Sequence, residues 1–95
     1  MPSYQSIRRE SGLPEQARFH GWSILRTDTE EFVAKSQIKK DYNLVGYNKR
    51  PELALRWRSA KLALAFTKAI DHPFALAVIF DLEDRYPVVL IPIEE

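Results

Sequence analysis

The chain has 95 residues, of which 45% are hydrophobic and 28% are charged, and its formal net charge is +1. These values are typical of one globular domain with a single core, and they argue against global disorder. Because the sequence contains no Cys, it excludes a disulfide framework, a thiolate metal site and a cysteine nucleophile.

The sequence gives no signal for a membrane or for secretion. Its longest uninterrupted apolar run, Phe74 to Phe80, is far shorter than the ~20 residues that span a bilayer. The first residues, MPSYQSIRRE, lack the apolar region of a secretory signal. We therefore expect a soluble, cytoplasmic protein with no membrane partner.

The N-terminal part of the chain is polar and only weakly periodic. For residues 1–19 we predict a weakly structured segment or a strap across the core, followed by one domain over residues 20–95. Within the first part, Pro14-Glu15-Gln16 fits the start of a short helical turn, because proline is tolerated at the first helical position.

A hairpin is predicted next. Trp22 to Arg26 alternates between two faces and is typical of a strand. Residues 28–40 fit either a second strand over Glu31 to Ile38 or a helix with a capping box of Thr27 and Glu30. We favour the strand, because the apolar stripe of such a helix would be thin.

A third strand and a long helix follow. Leu44 to Tyr47 is predicted as a short strand, with Gly46 indicating a bulge or a close approach of the backbone. Pro51 to Ile70 begins with Pro, is rich in Leu and Ala, and has no interior Gly or Pro, which is typical of a helix. Pro73 ends it, because the residue before a proline avoids the helical region.

The last elements form a second hairpin. Phe74 to Leu82 is predicted as a central strand, Glu83 to Arg85 as a turn, and Val88 to Ile93 as the returning strand. Pro92 cannot donate a ladder hydrogen bond and should face an unpaired edge or a bulge. The elements predict an α+β fold: a single antiparallel sheet of four to five strands with one long helix, about 51–70, packed on one face, in the order β-β-(β)-α-β-β.

The predicted helix has two apolar stripes, and one sheet can cover only one of them. The stripes are Leu53, Trp57, Ala60 and Leu64 on one side, and Leu55, Leu62, Phe66 and Ala69 on the other. The second stripe is covered either by the N-terminal segment or by a second copy of the chain. The candidate dimer interface is Leu55, Leu62 and Phe66.

Charge is unevenly distributed along the chain. Residues 35–68 carry nine Lys or Arg against two acidic residues, whereas residues 69–95 carry one Arg against six acidic residues. Such asymmetry indicates either an anionic partner or attraction between the two parts, within one fold or across a dimer. The candidate residues for an anion or nucleic-acid site are Lys39, Lys40, Lys49, Arg50, Arg56 and Arg58.

No motif in the chain predicts catalysis or a metal site. His20 and His72 lack ligand spacing, and no G-x-S-x-G nucleophile motif or Gly-rich phosphate loop is present. Asp81, Glu83 and Asp84 could hold Mg²⁺ or Ca²⁺, but acidic residues also collect in ordinary turns. We therefore predict no catalytic residue, metal or cofactor.

The leading hypothesis is a small non-enzymatic interaction domain that forms a homodimer. The alternative is a nucleic-acid-binding accessory protein that uses the basic segment 35–68, in which aromatic residues are interleaved with cations. The pI of about 8.0 is low for such a protein. A weaker alternative is a small-molecule binder with a pocket between helix and sheet, lined by Trp22 and Trp57.

Overall fold

The structure, a computed structural model, describes residues 3–38, 41 and 43–91. In this part of the chain, two short helices pack on a five-stranded antiparallel sheet with the strand order β3-β2-β1-β4-β5. The α+β class and the single antiparallel sheet predicted from the sequence are therefore confirmed. The elements are α1 (Tyr4–Glu10), β1 (Arg18–Arg26), β2 (Glu31–Ile38), β3 (Asn43–Asn48), α2 (Ala60–Phe66), β4 (Phe74–Asp81) and β5 (Val88–Ile91).

The core lies on both faces of β4. Leu76, Val78 and Phe80 point to the face that the helices cover, where they pack with Ile24 of β1 and Ala63 of α2. The residues between them face a smaller cluster on the opposite side of the sheet. A strand that is buried on both faces carries a continuous apolar run rather than an alternating one, as this strand does.

The β2 segment is a strand, so the helical alternative is wrong for the described residues 28–38. β2 pairs with β3, and the register shifts between Val33 and Lys35, opposite Tyr47 and Gly46. The extra residue of this bulge is therefore in β2, across from the glycine that indicated it.

The predicted long helix over 51–70 is wrong in its first half. Pro51–Leu53 forms one 3-10 turn, the chain then becomes extended, and α2 begins only at Ala60. A further 3-10 turn, Thr67–Ala69, continues α2 at its C-terminal end. The proline served as the first residue of the short turn, and the N-cap of α2 is Ser59, whose Oγ accepts a hydrogen bond from the Leu62 amide at 3.2 Å.

The extended residues 54–58, which we call the inserted segment, occupy a gap between β1 and β2. These two strands pair only at Leu25–Phe32 and Arg26–Glu31, next to their turn. Farther along, the Leu55 amide donates to the Val33 carbonyl of β2 at 2.9 Å. Trp57 exchanges two main-chain hydrogen bonds with Trp22 of β1, at 2.9 and 2.8 Å. The main chain of the inserted segment thus hydrogen-bonds to both strands.

Residues 4–10 form a helix that the sequence pattern did not predict. Ser3 is its N-cap, and Ile7 is 4% exposed within the main core cluster. Ala17, just before β1, is fully buried in the same cluster. The predicted division of the chain at residue 20 stays a prediction, but residues on both sides of it share one core.

The C-terminal hairpin agrees with the predicted strands in its described part. β4 ends at Asp81 and β5 covers Val88–Ile91, which places β5 at one edge of the sheet. Pro92 and Ile93, which the sequence placed in the same strand, lie outside the described residues.

Gly21 is where the inserted segment comes closest to β1. A Cβ atom built at Gly21 would lie 2.8 Å from Cβ of Arg56, and this neighbour cannot rotate away because it is the root of its side chain. We expect Gly21→Ala to lower the free energy of unfolding by about 1–3 kcal/mol, the usual cost of overpacking. Urea unfolding measures it.

The matched control is Gly46→Ala. Its Cβ would lie 3.4 Å from Cβ of Lys35, close to an ordinary van der Waals distance. This variant should therefore lose little stability, or gain some because the unfolded chain becomes less flexible. Equal losses in the two variants would contradict the close approach at Gly21.

Candidate functional site

An open groove of about 590 Å³ lies between the first turns of the two helices. Its apolar part consists of Tyr4 from α1, Trp22 from β1, and Ala60 and Leu64 from α2. We call it the helix groove; its polar lining residues are Ser3, Gln5, Arg58, Ser59 and Lys61. This volume lies within the range of small-molecule sites.

Aromatic contacts fix the floor of the helix groove. Tyr4 stacks on Phe19 with ring centroids 4.3 Å apart. Phe19 in turn makes an edge-to-face contact with Trp22, with ring centroids 6.4 Å apart. Trp22 is only 5% exposed, and its main chain pairs with Trp57. The apolar floor is therefore held in place by aromatic packing and by main-chain pairing in the sheet, and it does not depend on a loop.

The charged residues that border the helix groove are all positive. Arg58 and Lys61 are exposed, and the residues that line the groove include no Asp or Glu. The two ion pairs found among the described residues lie elsewhere, at Arg26–Asp28 and Arg50–Glu52. The groove thus combines an apolar floor with a positive rim.

A smaller cavity of about 270 Å³ adjoins the groove at Arg58 and is lined also by His20, Gly21 and Arg56. The Arg56 guanidinium lies 3.3 Å from Nδ1 of His20. A guanidinium only donates, so Nδ1 accepts and the neutral ring carries its proton on Nε2. That Nε2 is buried without a hydrogen-bond partner in the described structure, and the His20 ring meets Tyr86 at an angle of 64°.

A second polar cluster connects β3, β1 and the start of β4. The Tyr47 hydroxyl lies 2.5 Å from Nε2 of His72, whose Nδ1 lies 3.0 Å from the Pro73 carbonyl. A carbonyl only accepts, so Nδ1 donates and Nε2 accepts from Tyr47. The Arg26 guanidinium lies 5.2 Å from the centre of the Tyr47 ring. Burial raises the pKa of Tyr47, which keeps the hydroxyl protonated as a donor.

The described residues of the predicted anion site, Lys49, Arg50, Arg56 and Arg58, lie at separate places in the fold. Arg58 borders the helix groove, Arg56 lies beside His20, and Arg50 bonds Glu52 through its Nε at 2.6 Å. Lys49 is exposed after β3, before the 3-10 turn. Lys39 and Lys40 lie outside the described residues.

The residues proposed as a dimer interface do not lie on one helix. Leu55 belongs to the inserted segment and packs against the main core. Phe66 is half-buried and stands 5.2 Å from the Trp57 ring, whereas Leu62 is 51% exposed. The dimer stays a prediction, and Leu62 is the residue of the three that is exposed.

The acidic turn after β4 is held by hydrogen bonds within the turn, from backbone amides to backbone carbonyls and to the Asp81 side chain. Asp81 accepts a hydrogen bond from the Glu83 amide at 2.7 Å, as short acidic side chains do in turns. Within the described residues, no three His, Cys, Asp or Glu side chains converge on a site of metal size. Within the same residues, no helix is long and apolar enough to cross a membrane.

Only some of the residues that line the helix groove were predicted as site residues from the sequence. Trp22 and Arg58 were candidates, but Tyr4, Ser3 and Lys61 were not. Ser59, directly before Ala60 and three residues before Leu62, was an available N-cap signal, and it would have moved the start of the helix to Ala60. The partner of Trp22 at the groove is Tyr4, not Trp57, which instead lines the smaller cavity.

Comparison with known proteins gives the chain no family: no protein-family model matches it, and no curated protein or solved structure matches it significantly. The functional argument therefore depends on the geometry of the helix groove and its charges.

His20 predicts a dependence of stability on pH. Burial lowers the pKa of His20, the positive charge of Arg56 lowers it further, and the negative charge of Asp81 partly opposes them. As the pH falls below the ordinary His value of 6.5, the unfolded chain binds a proton at His20 that the folded chain does not. Stability should therefore fall between neutral pH and mildly acidic pH, and level off below the folded-state pKa.

Urea unfolding of the parent and of His20→Gln at several pH values measures this dependence. Gln keeps a polar side chain without a proton equilibrium, so the variant should lose less stability on acidification than the parent. Parallel pH curves for the two proteins would contradict a depressed pKa at His20.

Proposed function

We propose that the chain is a non-enzymatic binding domain whose helix groove holds a small molecule with an apolar body and one carboxylate. The observation that carries the proposal is the combination of an apolar floor with Arg58 and Lys61, in a groove whose lining has no acidic residue. Apolar pockets with a few placed polar groups are the usual form of small-molecule sites.

The two ends of the groove would make different contributions. The apolar body would pack on Tyr4, Trp22 and Leu64, and its binding would come from removal of apolar surface from water, at about 25 cal/mol per Å². The carboxylate would be held by Arg58, whose planar guanidinium can form two parallel hydrogen bonds with it. Lys61 would add a second, more flexible positive charge.

The proposal develops the weaker alternative from the sequence, a small-molecule binder with a pocket between helix and sheet, rather than the leading hypothesis of a homodimeric interaction domain. Nucleic-acid binding has less support, because Arg50 is bound by Glu52 and Trp57 packs on Phe66 rather than offering a stacking face. A homodimer through Leu62 is compatible with the proposal, since Leu62 is not among the residues that line the groove.

The test is a titration monitored by amide NMR with three eight-carbon probes: octanoate, octanol and octyltrimethylammonium. We expect octanoate to shift the signals of Tyr4, Trp22 and Leu64, because it matches both the apolar floor and the positive rim. Octanol should bind more weakly and the cation most weakly. Equal binding of all three probes would contradict a role for the rim.

Matched charge variants separate the rim from the overall charge. Arg58→Gln/Lys61→Gln should weaken octanoate binding about tenfold or more, since loss of two charge-assisted contacts exceeds ~1.4 kcal/mol. Lys49→Gln/Lys68→Gln removes the same charge from exposed positions outside the groove and should leave the affinity nearly unchanged. Similar weakening in both double variants would show that the rim is not the site.

A further inference from the structure

Two arginines of the inserted segment and a histidine of β1 surround the smaller cavity, which we call the His20 cavity. Arg56 and Arg58 are alternate residues of an extended chain, so their side chains leave it on the same side, about 6.6 Å apart. Both are exposed, and the residues that line the cavity include no Asp or Glu. Its volume of about 270 Å³ is below the range of drug-sized ligands and suits a group of ionic size.

A bulge in β1 directs His20 into this cavity. The register of β1 against β4 shifts between Phe19 and Gly21, so His20 is an extra residue with no opposite partner. Such bulges re-aim side chains and are frequent next to functional sites. The Arg56 guanidinium donates to Nδ1 of His20 at 3.3 Å. Because the neutral ring accepts this bond without carrying a negative charge, it orients the guanidinium and does not neutralise it.

The stem of the Arg56 side chain is held against the backbone of β1. A Cβ atom built at Gly21 would meet Cβ, Cγ and Cδ of Arg56 at 2.8, 3.1 and 3.3 Å, so three carbons of this side chain run directly over the glycine. With its stem on Gly21 and its guanidinium on His20, Arg56 is fixed at both ends. It therefore loses little rotamer freedom when it binds a ligand.

The surrounding charges leave the His20 cavity positive. The two ion pairs found among the described residues involve neither Arg56 nor Arg58. The negative charge of Asp81 reaches His20, but Asp81 lines a different cavity together with Arg18. An anion that enters the His20 cavity thus meets two guanidinium groups whose charge no described carboxylate neutralises.

We infer that the His20 cavity binds a phosphate group, held by Arg56 and Arg58. One guanidinium fork suffices for the two oxygens of a carboxylate. A phosphate group offers at least three acceptor oxygens and a charge of about −1.5 to −2 at pH 7, which matches two forks. The inference concerns a second site and does not rest on the proposed function, with which it shares only Arg58.

The test is an NMR titration of the parent at low, fixed ionic strength with inorganic phosphate and, separately, with acetate. It follows the Nε–H signals of the arginines and the amide signal of Gly21. Phosphate should shift these signals to saturation and bind at least tenfold more tightly than acetate. Absence of saturation with phosphate, or equal affinity for the two ions, overturns the inference. This titration needs no variant, so it is decisive by itself.

Matched charge variants assign the site to the two arginines. Arg56→Gln/Arg58→Gln should weaken phosphate binding about tenfold or more, and Gln keeps the Cβ and Cγ atoms that pack on Gly21. Lys49→Gln/Lys68→Gln removes the same charge from exposed positions outside the cavity and should leave the affinity nearly unchanged. Equal weakening in the two double variants would mean that phosphate responds only to overall charge, and would overturn the inference.

His20 is a positioning residue in this site, and a pair of variants tests that role. His20→Ala should weaken phosphate binding about threefold or more, because the Arg56 guanidinium loses the acceptor that orients it. His20→Asn should restore most of the affinity, since its side-chain oxygen can accept in place of Nδ1. Equal losses in the two variants would contradict the positioning role.

Octyl phosphate distinguishes two sources of the phosphate group, in an experiment that also rests on the proposed function. For an amphiphile with its chain in the helix groove, octyl phosphate should bind at least tenfold more tightly than inorganic phosphate and also shift Tyr4 and Leu64. Equal affinities would assign the site to free phosphate or to a polar phosphate ester. Saturable phosphate binding without octanoate binding contradicts only the proposed function, and the reverse result overturns only the phosphate site.

Discussion

The paired main chains of Trp22 and Trp57 hold the inserted segment in the sheet, and much of the remaining structure follows from that contact. β1 and β2 pair beside their turn and then separate, which would leave main-chain groups of both strands unpaired inside the sheet. Burial of such groups costs more than a typical hydrogen bond contributes, about 1–3 kcal/mol against about 0.5–1.5 kcal/mol. The inserted segment supplies the missing partners through Leu55 and Trp57.

The same contact positions the candidate site. Because the inserted segment is extended, its side chains alternate, so Leu55 and Trp57 pack on the core while Arg56 and Arg58 are exposed. Arg58 then stands at the meeting point of the helix groove and the His20 cavity. Ser59 directly follows and caps α2, which places Lys61 in the first turn beside the groove. The positive rim is thus fixed by backbone pairing rather than by a mobile loop.

Strands could be predicted from the sequence more readily than the helices. A strand carries either a continuous apolar run or an alternation of apolar and polar residues, and both patterns can be recognised within a short stretch of sequence. The predicted bounds of β2 and β4 are therefore nearly correct. The region 51–59 is locally compatible with a helix, but its tertiary contacts favour an extended chain, because Trp57 can pair with Trp22 only in that form. The α1 helix was not predicted because it is short and only one of its residues, Ile7, is buried, so it shows no apolar periodicity.

The meeting of Tyr4 and Trp22 at the groove could not be predicted from the sequence, for one physical reason. Tyr4 and Trp22 lie 18 positions apart along the chain, and nothing in the local pattern of either residue requires them to meet. They meet because Tyr4 stacks on Phe19, which belongs to the strand that also holds Trp22. Charge, in contrast, could be read directly: Arg56, Arg58 and Lys61 of the basic part of the sequence are exposed in the structure.

The groove and the edges use different parts of the same sheet. The helix groove lies on the helix-covered face beside β1, the central strand, whereas β3 and β5 are the outermost strands. The residues that line the groove come from the central strand, the inserted segment and the two helices, and none of them belongs to an edge strand. The shape of the groove therefore depends on the packing of the core rather than on either edge of the sheet.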